Sequence, residues 1–191
     1  MSKPAQDRRI QRTRQLLLQS LVALVLEKGY ERITVQDIID RANVGRSTFY
    51  FHFRDKEDLL LSGFESLREL FDGFRSRILN KTSWEFGLVL FQHVQQQRLL
   101  YKALIGEQAG NIVFKHVQRY LTVLLSGHFR SIWLENGDSI PLDIFVQYMV
   151  GAFLGMLTWW LDNDLLYSAE QMNEFYRKVT EPTIVTLLGN A

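Results

Sequence analysis

Arg46, Ser47, Thr48, Tyr50 and His52 lie in one short stretch, and Lys56 follows one helical turn later. These residue types recognise nucleic acid. An arginine can donate two hydrogen bonds to a guanine edge, and short hydroxyls suit base or phosphate contact. Tyrosine, histidine and lysine donate to phosphate oxygens. Taken singly, His52 reads as a structural or surface histidine and Tyr50 as a half-buried aromatic; only the joint spacing points to DNA. No rival set for catalysis is present, because there is no nucleophile motif, phosphate loop or paired-acid arrangement. The chain has no cysteine, which removes disulfides, thiolate zinc sites and thiol chemistry. His93, His116 and His128 are dispersed, lack an i,i+4 carboxylate partner and follow no metal-ligand spacing. The expectation is therefore no enzyme, no metal and no cofactor.

The DNA-reading side chains need a helix to present them and other helices to hold it. Thr34 stands three residues before Asp37, so its oxygen can accept a backbone N–H of a first turn while the carboxylate favours the positive helix end. Val35, Ile38, Ile39 and Ala42 then recur at helical spacing. Asn43-Val44-Gly45 reads as a tight turn that tolerates positive φ, and Arg46 to Phe53 as the next helix. Val44, Phe49 and Phe53 are expected to turn inward, leaving Arg46, Ser47 and Tyr50 on the outer face. Two short helices about a glycine turn make a helix-turn-helix. A preceding helix over 11–27 carries Ile10, Leu17, Leu21, Leu24 and Val25 as its stripe, with Gly29 as its stop. Asp55 is placed to cap a long fourth helix whose seam is Leu60, Phe64, Leu67, Phe71, Phe74 and Ile78.

Three runs together resemble the N-terminal signature of the TetR family of bacterial regulators: Thr34-Val-x-Asp-Ile-Ile-x-x-Ala42, Val44-Gly45-x-Ser-Thr-Phe-Tyr50-x-His52-Phe53, and Lys56-Glu-Asp-Leu-Leu60. The resemblance spans about residues 10 to 60. It implies that Thr34, Tyr50, His52 and Lys56 contact phosphates and that Arg46, Ser47 and Thr48, with Gly45 at their head, face the groove. Phe51 occupies a position that is often polar or tyrosine in the family. It can touch a thymine methyl or a sugar, or be merely tolerated.

Only three prolines occur in 191 residues, strict two-residue alternation is nearly absent, and apolar residues recur at three and four. The expectation is an all-α protein of about nine helices: an N-terminal three-helix, homeodomain-like helix-turn-helix unit over 1–56 on a larger antiparallel helical bundle over 57–191. Further helices are expected at 84–97, 98–106, 111–135, 141–161 and 168–188. Thr82 with Glu85 and Ser168 with Gln171 form capping boxes, Pro141 falls inside a first turn, and Pro182 should kink or divide the last helix. Residues 1–56 hold eleven of the 22 Lys and Arg but only six of the 21 Asp and Glu, a basic end on a mildly acidic body. The apolar run Leu16 to Leu18 is broken by Gln19 and Ser20, and no secretion signal is apparent. With the absence of cysteine this points to the cytoplasm.

The body is rich in aromatics, most of which must be core. The TetR resemblance implies a pocket for a small apolar or aromatic effector; Phe91, His93, His116, Tyr120, Tyr148 and Met149 are its candidates, although for each polar one taken singly satisfied core polarity is the stronger reading. The run Ile144 to Leu161 is long enough to raise the membrane question. Asp143 and Gln147 at its start and Asp162 and Asp164 at its end, with no basic flank, favour a buried helix and no membrane. Gly151 and Gly155 allow close helix approach. Gly151 to Asp162 followed by Ser168-Ala-Glu-Gln-Met resembles, more weakly, the last two helices of a TetR subgroup that includes regulators of dihydroxyacetone kinase. Such helices pair across a two-fold axis as a four-helix bundle, which implies a homodimer interface at Gly151, Gly155, Trp159, Phe175 and Val179. The whole reading is a ligand-responsive repressor that binds a palindromic double-stranded DNA operator as a homodimer. The alternative is a coregulator or interaction protein of the same fold without an effector.

Overall fold

A computed structural model of the chain describes residues 3–64, 85–104, 108–136 and 140–188. Among the described residues there are nine α-helices and no strand: α1 (Lys3–Lys28), then a 3-10 turn (Tyr30–Arg32), α2 (Val35–Ala42), α3 (Arg46–His52), α4 (Lys56–Ser62), α5 (Glu85–Gln96), α6 (Arg98–Leu104), α7 (Gln108–Asn136), α8 (Leu142–Asp162) and α9 (Ala169–Leu188). The fold is all-α, as the periodicity requires. The expected seam beyond Phe64 (Leu67, Phe71, Phe74, Ile78) and the cap at Thr82 lie outside the described residues.

The chain divides into two compact units, Met1–Arg68 with Leu99–Val113, and Glu69–Arg98 with Phe114–Ala191. In the first unit, α1 buries Leu17, Leu21, Leu24 and Val25 and packs on α2 and α4, whose Ile38, Ile39, Leu59 and Leu60 are buried in turn. Each such side chain withdrawn from water is worth about 2 kcal/mol. Two ion pairs fasten α1 to α2: Arg41 to Glu27 at 2.6 Å and Lys28 to Asp37 at 2.9 Å. Gly29 stands directly after α1 with φ 74° and ψ 152°, a positive-φ conformation open mainly to glycine, so the chain stops and turns at this residue. Helix α1 starts at Lys3 rather than at residue 11. The apolar stripe begins only at Ile10, but the polar residues before it include strong helix formers, and a proline at the second helical position costs no hydrogen bond.

In the second unit, α9 packs on α5 and α8. Phe91 of α5, Phe153 and Trp160 of α8 and Tyr176 of α9 meet in a fully buried aromatic core: Phe91 lies 4.9 Å from Phe153 and 5.4 Å from Trp160, and Phe153 lies 5.1 Å from Tyr176, centroid to centroid. Their polar tips are satisfied. Tyr176 Oη donates to the Met149 carbonyl at 2.9 Å, and Trp160 Nε1 to the Tyr167 carbonyl at 2.9 Å. At the α5–α9 crossing Gly87 leaves room for Asn173, because a Cβ there would stand 2.6 Å from Asn173 Oδ1 and that side chain would have to shift.

Ser168 and Gln171 form the expected reciprocal cap on α9 (2.9 and 3.2 Å). Pro141 precedes α8 as its cap rather than entering the first turn. Pro182 does not divide α9: the helix runs through it to Leu188, losing only the one N–H that proline lacks. Helix α8 alone among the described residues is long and apolar enough to cross a membrane, and half of its most apolar window is buried inside the protein.

Candidate nucleic-acid interface

The site starts from a cap. Thr34 Oγ1 accepts from the Asp37 backbone N–H at 3.2 Å, and Asp37 Oδ2 accepts from the Thr34 backbone N–H at 2.7 Å and from its hydroxyl at 2.6 Å. These bonds, with Lys28, hold the Asp37 carboxyl far below the usual carboxylate range. Helix α2 is thereby fixed at its start and, by Arg41 and Glu27, near its end. Between α2 and α3 the left-handed residue is Asn43, at φ 52°, whereas Gly45 has φ −71° and caps α3 in an extended conformation. The turn was expected to need positive φ, and asparagine supplies it, since a short polar side chain tolerates that region nearly as well as glycine.

Helix α3 is held by Phe49 and Phe53, both buried. The guanidinium of Arg14, from α1, lies 4.7 Å from the Phe53 ring centre. On the outer side Arg46, Ser47 and Tyr50 are exposed, Thr48 and His52 are partly so, and Val44 is only half-buried. The Arg46 guanidinium leans over the Tyr50 ring at 5.9 Å. Burial, then the nearby Arg14 charge, pushes the His52 imidazole below its ordinary value, so it is neutral near pH 7. Lys56 is engaged more deeply than spacing suggests: its Nζ donates to the carbonyls of Tyr30 and Ile33, each at 3.0 Å, and lies 4.2 Å from the Tyr30 ring centre. The Thr34 hydroxyl is likewise occupied inside its cap. Asp55 caps α4 through the Asp58 N–H at 2.8 Å, as expected.

A short helix anchored by two inward phenylalanines, with arginine, hydroxyl and tyrosine outward after a tight turn, is the helix-turn-helix arrangement. Residues 17–62 match the family described as bacterial regulatory proteins, tetR family, and residues 82–181 match a transcriptional regulator C-terminal region. The chain belongs to the TetR family of transcriptional regulators. It is similar to an uncharacterized HTH-type transcriptional regulator of Bacillus subtilis, YxbF, with 40% identity over 182 residues, covering 91% of this chain but 46% of that protein. The chain thus spans about half the length of that relative. It is also similar to the probable acrEF/envCD operon repressor of Escherichia coli, at 25% identity over 80% of this chain and 77% of that protein. Among solved structures, a TetR-family regulator from Syntrophomonas wolfei shares the fold with TM-score 0.74 at 21% identity, over 95% of this chain and 99% of that one.

In this TetR-family chain the residues proposed for an effector divide. Phe91 and Met149 are fully buried in or beside the aromatic core. His93, His116 and Tyr120 are half-buried, and burial lowers both imidazoles, aided at His116 by Arg119. Tyr148 does not join them. It is 47% exposed, because it stands about 100° around α8 from the buried Met149 and so clears the packed face. It falls instead with Ile144, Gly151, Gly155 and Trp159 on one exposed stripe, and α9 presents Phe175 and Val179, also exposed. All five residues expected at a dimer interface are therefore open to solvent in the single chain. Three features of the site escaped the sequence: the Arg14–Phe53 contact, the burial of Lys56 Nζ against Tyr30, and the degree to which Phe51 projects.

Proposed function

We propose that this chain is a DNA-binding transcriptional repressor that acts as a homodimer on a palindromic site, with residues 1–56 as its DNA-binding part and 57–191 carrying dimerisation and effector response. The observation that carries the reading is the outer arc of α3. Its packing residues face inward, and Arg46, Ser47 and Tyr50 stand exposed on the helix that follows the capped α2. Ser47 and Thr48 suit base edges or phosphates, Arg46 suits a guanine, and Tyr50 and neutral His52 suit phosphate oxygens. The remaining N–H of Lys56 adds one more phosphate donor, whereas Thr34 would serve as a phosphate contact only by giving up its hydrogen bond to Asp37.

Homodimerisation is supported by the exposed stripe on α8 and α9. A Cβ at Gly151 or Gly155 would meet nothing within 4 Å, so the chain's own packing gives no reason for glycine there. A second copy packed backbone-close along this stripe does. The effector reading rests on His93, His116 and Tyr120 as hydrogen-bonding groups on otherwise apolar helices. The same-fold interaction protein without an effector is favoured by one observation, the filling of the Phe91 site by the chain's own rings. A screen of small apolar compounds for a raised melting temperature separates the two readings.

The DNA reading is tested by selecting duplexes from a random pool with the full chain and measuring affinity for the consensus. Arg46→Ala and Tyr50→Phe are expected to weaken that binding. Undiminished affinity in both variants rejects the groove assignment.

A further inference from the structure

Phe51 is 73% exposed, the most exposed large apolar side chain among the described residues, and it stands on the helix whose outer arc carries the proposed DNA contacts. Its direction follows from the anchors. Phe51 is two residues from Phe49 and two from Phe53, so it projects about 160° around the helix from each. It therefore lies directly opposite the face by which α3 is held. Ser47, one turn earlier, shares this outermost meridian. Tyr50, with Arg46 leaning over it, occupies one shoulder. His52 occupies the other, its ring meeting that of Phe51 edge-on at 5.0 Å.

An α-helix with its side chains is about 10–12 Å across and the major groove is about 12 Å wide, so α3 can lie along the groove. The whole helix fits between the groove walls, so the shoulders meet the phosphate rims while the outermost meridian meets the floor. An apolar ring has one complementary group on that floor. Base edges in the major groove offer hydrogen-bond donors and acceptors, which a phenylalanine can only desolvate, and the 5-methyl of thymine, which it can cover. Serine beside it is small enough not to hold the ring away.

We propose that Phe51 is a specificity-determining residue whose ring, placed at the outermost point of α3, packs on the 5-methyl group of a thymine in each half-site. This deepens the DNA-binding reading above and rests on it.

The test uses the consensus duplex recovered with the full chain, with each thymine replaced in turn by deoxyuridine, which removes the methyl and nothing else. The parent is expected to lose about three- to fivefold in affinity at one position per half-site, the ratio expected for exposing a methyl-sized group. Phe51→Ala is expected to bind the unmodified duplex more weakly by a similar factor and to be indifferent to deoxyuridine at that position. Its melting temperature should match the parent's, because the ring supports nothing in the fold. The inference is overturned if no thymine is sensitive in the parent. It is equally overturned if Phe51→Ala loses affinity yet keeps the parent's deoxyuridine penalty, which would place the ring on sugar or backbone. In either case Arg46→Ala still reports separately on whether α3 reads the groove.

Discussion

The Lys56 ammonium lies 4.2 Å from the centre of the Tyr30 ring and donates to the Tyr30 carbonyl at 3.0 Å, while a second N–H reaches Ile33. One side chain at the start of α4 thus closes the segment that joins α1 to α2. An ammonium has three N–H groups, and two are used here. The third is the one proposed to reach a phosphate. Lys56→Met should therefore do two things. It should destabilise the fold by about 1–3 kcal/mol in urea unfolding, since buried carbonyls lose their donors. It should also lower the slope of log affinity against log salt by about one unit. A stability loss with an unchanged slope assigns Lys56 to the fold alone.

That double role shows where reading the sequence stops. The Thr34–Asp37 and Ser168–Gln171 caps were legible because each is a three-residue relationship fixed by helix geometry. Phe49 and Phe53 were legible as anchors for the same reason. The Lys56–Tyr30 and Arg14–Phe53 contacts span long stretches of chain, and no local pattern encodes them. The early start of α1 was missed because residues before Ile10 carry helix propensity without apolar periodicity. Tyr148 was assigned inward because a polar tip on an apolar helix resembles a pocket residue; only the register of α8 shows that it clears the packed face to which Met149 belongs.

Removing the cap at Thr34 gives a local test. Thr34→Ala deletes an acceptor for the Asp37 N–H and a donor to its carboxylate, and should cost about 1 kcal/mol of stability. The pH dependence has a definite sign. The Asp37 carboxyl is held below its unfolded value, so its contribution is complete above about pH 4 and is lost as pH falls through the native value. Asp37→Asn should flatten the acid limb of a stability-versus-pH curve from chemical unfolding. An acid limb identical to the parent's would count against the cap as its source.

His52 provides a second pH window. In the free chain its imidazole is held below the ordinary value by burial and by Arg14. The proposed DNA phosphate beside it would favour the charged form and so couple binding to proton uptake. Affinity for the selected duplex should rise as pH is lowered from 7.5 to 6, by no more than about tenfold for each pH unit. His52→Gln should remove that rise while keeping a neutral donor. If the pH dependence survives the substitution, His52 is not the group that takes up the proton.

The exposed stripe on α8 and α9 allows a test that leaves the single chain intact. Val179 is 60% exposed, so replacing it removes little internal packing, whereas Trp159 stacks on Tyr167 and is left in place. Val179→Glu would place a carboxylate where the proposed partner brings an apolar surface, with Phe175 one turn away on the same face. A buried unpaired charge is costly enough to displace the association. Sedimentation at micromolar concentration is expected to show a dimer for the parent and a monomer for Val179→Glu. Operator affinity should fall with it, since two half-site contacts no longer act together. Val123→Glu, on α7 and 69% exposed, is the matched control and should remain dimeric. A parent that sediments as a monomer, or a Val179→Glu variant that stays a dimer, would remove this stripe from the interface.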